Sequence, residues 1–244
     1  ASSAASDVYK RQIKKRPGTV GICASLMNKY KIDAIPHIIC GGFTKEDTES
    51  ALIDLKFLGI DNVLALRGDP LKNESSFVAT KGGSKYAIDL IKQIDDMNNG
   101  QYLYEETRNS PANFCIGTAG YPEKHFEAMN LNSDLKHLKA KVDAGAEYIV
   151  TQLFYDNQKY FEFVKKCRRI GITVPIIPGL KPLTTLRHLS FIPKFFNTNF
   201  PEELSNELEK SNSNADVLKI GTEWAIQQSK ELMDAGVPIL HFYT

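Results

Sequence analysis

No Cys-x-x-Cys pair, no dinucleotide glycine signature and no long apolar run occurs in this sequence. The four cysteines, Cys23, Cys40, Cys115 and Cys167, are too few and too scattered over 244 residues for a disulfide framework. They read as reduced thiols, so a cytoplasmic protein is expected. The longest apolar stretches fall well short of the ~20 residues that span a bilayer, so no membrane anchor is expected. Thirty Lys and Arg face 29 Asp and Glu, for a net charge of +1. That balance supplies no field to hold nucleic acid or an anionic membrane. Gly-x-Gly-x-x-Gly and Gly-x-x-x-x-Gly-Lys-Ser/Thr are both missing, which weakens doubly wound nucleotide-binding folds. No two histidines stand at ligand spacing on one segment, so no metal centre is expected.

What is present is an alternation of short apolar runs and amphipathic segments. Residues 1–12 (ASSAASDVYKRQ) show neither helical nor strand periodicity and no secretory apolar core. They read as a disordered or non-native leader, leaving 13–244 as the folded part. From Ala34 the pattern becomes regular. Ala34 to Cys40 has strand length and β-branched content. Thr44 to Asp47 signals a helix start, Ala51, Leu52, Leu55 and Leu58 recur at helical spacing, and Gly59 stops the run. Asn62 to Leu66 is a strand, Leu71 to Lys85 a loop, and Tyr86 to Met97 a helix. Phe114 to Thr118 is a strand, and Ser133 caps a helix that ends at Gly145. Tyr148 to Phe154 is a strand, and Asp156 starts a helix that ends at Gly171. Val174 to Ile177 is a strand closed by Pro178-Gly179. Helical sequence from Thr184 to Ala235 breaks near 197–201 and 211–214, and Val237 to Tyr243 closes as a strand.

These are six strands separated by helical sequence, mostly continuous apolar runs of the kind found in parallel sheets buried on both faces. Polar residues follow several of them: His37, Arg67 and Asp69, Tyr121, Gln152, Lys181. In a parallel barrel those strand ends form the ligand face. The expected fold is therefore α/β, a (β/α)8 TIM barrel with six strands visible and the first two missing from this chain. The most informative segment is Asn62-Val63-Leu64-Ala65-Leu66-Arg67-Gly68-Asp69-Pro70. A glycine there permits a sharp turn and close ligand approach. Arginine offers a planar donor fork, and the carboxylate can stabilise a positive centre.

The blocks HIICGGFTKEDTESALIDLKFLGIDNVLALRGDP, IGTAGYPEKHFEA, DLKHLKAKVDAGAEYIVTQLFYD and VPIIPGLKP, in this order, closely resemble the methylenetetrahydrofolate reductase family. The resemblance covers Lys14 to Thr244. It implies a flavoprotein barrel that reduces 5,10-methylenetetrahydrofolate to 5-methyltetrahydrofolate, with FAD as cofactor and NADH or NADPH as hydride donor. It also implies a small-molecule folate substrate and a homo-oligomer, in one-carbon metabolism and methionine biosynthesis.

Matching motifs carry the family's site residues over. FAD contacts are expected at His37, Arg67, Gly68, Asp69, Tyr86, Ala87, Tyr121, His125, Ala128, Asp134 and Lys141. Asp134 would take a sugar hydroxyl and Lys141 a phosphate. Asp69 is expected to be catalytic and to touch both flavin and folate, where its charge would favour the cationic iminium form of the substrate. Gln152 is expected to bond the pterin ring, and His188 to touch substrate. The family's general-acid glutamate, in a Phe-Glu-Phe-type run, has no counterpart before Ala34. The expectation is a chain cut at both ends, with impaired activity on its own. Two alternatives stay open: a non-catalytic flavin- or folate-binding fragment, and a pterin-dependent methyltransferase-type barrel. Nothing in the sequence chooses between NADH and NADPH.

Overall fold

A computed structural model describes residues 17–70, 76–104 and 110–244. The expected leader, 1–12, lies outside the described residues, as do 71–75 of the expected loop. Two compact units are present, residues 1–119 with 140–148, and residues 120–139 with 149–244.

In the first unit, helix α1 (Thr19–Ser25) and a π-helical turn (Leu26–Tyr30) precede β1 (His37–Ile39), α2 (Lys45–Phe57), β2 (Asn62–Leu66), α3 (Ala87–Asn98) and β3 (Cys115–Gly120). The three strands run parallel. His37 pairs with Leu64 and Ile39 with Leu66, while Asn62 pairs with Cys115 and Ala65 with Thr118. Parallel pairing forces a crossover between strands, and the amphipathic helices supply it. Val63 and Ala65 are fully buried, as are Leu52 and Leu55 of α2 and Leu90, Ile91 and Ile94 of α3. Leu58, expected to face inward, is exposed, because α2 already ends at Phe57. Thr44 caps α2 as expected: its hydroxyl accepts from the Asp47 N–H at 3.0 Å, and Asp47 accepts from the Thr44 N–H at 3.0 Å.

β1 is shorter than its apolar run. Pro36 has no N–H to donate, so only its carbonyl joins the ladder, accepting from Leu64 N–H at 2.9 Å. His37 therefore opens β1 instead of following it.

The second unit holds β4 (Tyr148–Thr151), α5 (Asn157–Arg169), β5 (Ile176–Ile177), β6 (Gly179–Leu180), α6 (Leu186–Phe196), α7 (Glu202–Leu208), α8 (Asn214–Asp234) and β7 (His241–Phe242). Helix α4 (Leu131–Asp143) follows β3. Its cap is Asn130, whose side chain accepts from the Ser133 N–H at 2.9 Å. Ser133 is thus a residue of the first turn and not the cap. Both helix breaks fall where expected. Seven strands are described instead of six, because the chain resumes pairing after Pro178: Gly179 and Leu180 pair in parallel with His241 and Phe242. The principal sheet has the order β1-β2-β3-β4-β5. Strand order follows chain order and all described pairings are parallel, the βα repeat from which barrels of this class are built.

Candidate functional site

In the first unit the turn after β2 stands where the pattern predicts, whereas His37 opens its strand. Arg67, Gly68 and Asp69 follow β2 without a break. Gly68 has φ +88°, a backbone state that residues with a Cβ rarely adopt. Arg67 is half-buried, with its guanidinium carbon 5.2 Å from the centre of the Phe77 ring. Asp69 is exposed. Beneath this turn, the Cys40 N–H donates to the Leu66 carbonyl at 3.2 Å, and its thiol reaches the same oxygen at 3.5 Å. Burial pushes that thiol up to about 12, Asp89 adds to the rise, and Arg67 opposes it. Cys40 is therefore a neutral thiol at pH 7, not a nucleophile. Tyr86 precedes α3 with its ring exposed, and its N–H donates to Asp89 at 2.9 Å. Ala87 is the first residue of that helix. The Lys141 ammonium donates to the Ala119 carbonyl of β3 at 2.6 Å.

In the second unit the segment after β3 is tightly wound. Tyr121 meets His125 edge to face, with ring centres 4.6 Å apart, and His125 stacks on Phe126 at 4.6 Å. The His125 Nδ1 accepts from Glu127 N–H at 3.2 Å, which leaves its proton on Nε2. The Lys124 ammonium donates to the Ala128 carbonyl at 2.8 Å. Asp134, expected to take a sugar hydroxyl, uses one carboxylate oxygen to accept the His125 N–H at 2.9 Å.

Gln152 follows β4 and is held on three sides. Its own N–H donates to Gly120 at 2.8 Å. The preceding residue, Thr151, accepts on its hydroxyl from Gly179 N–H at 2.9 Å and on its carbonyl from the Tyr243 phenol at 2.8 Å. The Gln152 side-chain oxygen accepts from Leu153 N–H at 3.0 Å, which points the amide NH2 away as a donor. Burial, with Tyr121 adding to it, raises the Tyr243 phenol above its ordinary range and keeps it a donor. His188 accepts on Nδ1 from Thr184 N–H at 3.2 Å. Burial lowers its proton affinity, and Lys181 and Arg187 lower it further, so it is neutral at pH 7.

Sequence reasoning missed Tyr243 as a support of this strand end, although an aromatic residue closing the last strand was its signal. A cavity of about 210 Å³ in this unit is lined by Pro122, Glu123, Leu131, Lys159, Phe163 and Asn199, among others, and by none of the sequence-predicted residues. Among the described residues no cluster of histidine, cysteine and carboxylate side chains could hold a metal ion.

The family model described as methylenetetrahydrofolate reductase matches residues 5–244. A rice protein named probable methylenetetrahydrofolate reductase (NADH) is 36% identical over 236 residues, covering 93% of this chain and 38% of its own length. The 5,10-methylenetetrahydrofolate reductase of Salmonella typhimurium is 30% identical over 243 residues, covering 98% of this chain and 74% of its own length. This chain thus spans well under half the length of its plant relatives. Among solved structures, a Clostridium thermocellum protein described as binding two copies of 5-methyl-5,6,7,8-tetrahydrofolic acid is similar in fold, with a TM-score of 0.50 at 16% identity, over 89% of this chain and 70% of its own.

Proposed function

The chain belongs to the methylenetetrahydrofolate reductase family, and on that premise we propose that it carries the FAD-dependent reduction of 5,10-methylenetetrahydrofolate to 5-methyltetrahydrofolate by NADH or NADPH. The observation that carries this reading is the turn after β2, where Gly68 in a left-handed conformation presents Asp69 beside the half-buried Arg67. The binding of 5-methyl-5,6,7,8-tetrahydrofolic acid described for the similar Clostridium thermocellum protein agrees with the substrate class.

The residues fit the cofactor that this reading needs. Gly68, with no Cβ, would let its turn approach a ligand closely. Under this reading Arg67 and Lys141 would supply cations to a diphosphate, and Tyr121 and His125 ring faces and a ring N–H. His37, Tyr86, Ala87, Ala128 and Asp134 complete the proposed holding set. FAD held there would supply hydride-carrier chemistry between the nicotinamide and the folate.

The chain's own groups do the rest. The Asp69 carboxylate would favour positive charge on the substrate as the imidazolidine ring opens to the iminium. The Gln152 NH2, turned outward by the bond of its oxygen to Leu153, donates to the pterin edge. His188, neutral at pH 7, offers an Nε2–H to the substrate. All four cysteines are free thiols, which agrees with work in the reducing cytoplasm. A homo-oligomer completes the proposal.

Incubating the full-length protein with FAD, NADH or NADPH and methylenetetrahydrofolate, then separating the folates by chromatography, tests the reading. 5-Methyltetrahydrofolate is the expected product. Its absence, with the protein folded and flavin bound, would overturn the assignment.

A further inference from the structure

The segment that brings Tyr121 and His125 together is strained. The Lys124 N–H donates to the Tyr121 carbonyl at 3.2 Å and closes a tight turn. Lys124 itself has φ +90°, a state that residues with a Cβ rarely adopt. Such a conformation persists only where surrounding contacts over-determine it. On one side the Lys124 ammonium is tied to the Ala128 carbonyl. On the other stands Glu123, whose half-buried carboxylate accepts from the Asn199 N–H at 3.2 Å and from the Asn199 side-chain amide at 3.0 Å. Burial raises that carboxyl above its ordinary value, and the two Asn199 donors pull it back.

Asn199 reaches Glu123 from a fixed base. It lies in the connection between α6 and α7, which Asn197 opens at φ +52° and Pro201 closes. The buried Thr198 donates its hydroxyl to the Leu153 carbonyl at 3.3 Å. Phe200 meets the Tyr155 ring edge to face, with ring centres 4.9 Å apart. Tyr155 is pinned in turn, since its phenol donates to the Lys181 carbonyl at 3.0 Å and its carbonyl accepts from the Trp224 indole at 3.1 Å. Leu153 and Tyr155 belong to the chain just after β4, whereas Glu123 belongs to the chain just after β3. We propose that Glu123 and Asn199 are positioning residues of the flavin site, a clamp that holds the strained turn and so presets the Tyr121 and His125 rings. They act through those rings, and the inference rests on the reading of Tyr121 and His125 as flavin contacts.

Release of FAD from the full-length flavin-loaded protein on dilution, followed by flavin fluorescence, tests the clamp without requiring turnover. Glu123→Ala removes both bonds, and Asn199→Ala removes the side-chain bond and keeps the N–H. Glu123→Gln keeps an acceptor oxygen. Glu162→Gln removes a carboxylate that lines the same cavity and pairs only with Lys166, at 3.9 Å. Loss of the charge-assisted contacts is expected to raise the FAD Kd about tenfold in Glu123→Ala. Asn199→Ala is expected to raise it about threefold, and the double variant to lose no more than Glu123→Ala, because the two residues act as one unit. Glu123→Gln is expected to recover most of the loss, and Glu162→Gln to behave as wild type. Where Glu123→Ala does not fold, Asn199→Ala decides alone, since it truncates an exposed side chain. Wild-type release from the folded clamp variants, additive losses, or a Glu123→Gln that loses as much as Glu123→Ala would overturn the clamp alone. A folded wild-type protein that holds no FAD would overturn the functional reading and the clamp with it.

Discussion

At the scale of single residues, two side chains carry separable consequences. In the proposed function Asp69 acts through charge, so Asp69→Asn is expected to keep the shape of the turn and to remove the stabilisation of the iminium. Loss of one such electrostatic contact typically slows a step by about 10². The expected outcome in rapid-mixing experiments is a fall of that order in reoxidation of reduced flavin by methylenetetrahydrofolate, with a far smaller effect on reoxidation by menadione, a neutral quinone. Equal effects on both would remove Asp69 from the folate step. Tyr243 acts through a single hydroxyl, bonded at 2.8 Å to the Thr151 carbonyl. Tyr243→Phe is expected to lower stability by about 1 kcal/mol in urea titration. Under the proposed role of Gln152 it is also expected to weaken folate binding, because Gln152 loses one of the contacts that hold its backbone.

At the scale of elements, the close approach of β6 to β4 has no slack. Gly179→Ala would drive a methyl group into the Thr151 carbonyl and the Tyr243 ring. Overpacking of this kind costs about 1–3 kcal/mol. A drop in melting temperature larger than that of Gly42→Ala is expected, since Gly42 has open space around it and only its positive φ to penalise the change. The same elements show what a sequence can reveal. Helices α2 and α5 were legible because capping residues, apolar periodicity and terminal glycines agreed, and α3 from its apolar periodicity alone. β2 was legible to the residue, and so was the Arg67-Gly68-Asp69 turn that it delivers. Where sequence reasoning missed, local sequence underdetermined pairing. Ala34 to Cys40 has strand length and β-branched content, yet β1 is only His37–Ile39, because Pro36 has no N–H and offers the ladder its carbonyl alone. Pro178-Gly179 has the composition of a strand stop, yet pairing resumes at once because β7 lies alongside. Ser133 has the chemistry of a cap, but the helix already starts at Leu131, so Asn130, immediately before it, holds the cap position. The polar strand-end residues were visible as a set. What sequence could not give was their prior commitments, such as Asp134 to the His125 backbone or Lys141 to the Ala119 carbonyl.

At the scale of the whole molecule, acid stability follows from two histidines. Burial lowers the proton affinity of His188 and His241 in the folded state. Unfolded histidines protonate near 6.5, so between pH 7 and pH 5 the unfolded chain binds more protons than the folded one. Stability is therefore fully present above that range and falls as the pH drops through it. Glu123 works in the opposite sense, because burial raises its carboxyl and the folded state takes up that proton first. Denaturant titrations at pH 7 and pH 5 are expected to show a net loss, and His188→Gln to show a smaller one. No helix among the described residues is long and apolar enough to cross a membrane. The central claim is that this chain builds a flavin site through which a nicotinamide reduces a folate. Anaerobic titration of the full-length protein, followed by its visible spectrum, tests that claim most directly. A bound flavin bleached by NADH or NADPH and restored by methylenetetrahydrofolate is the predicted result. A folded protein that carries no flavin, or a flavin that bleaches and is not restored by the folate, would contradict it.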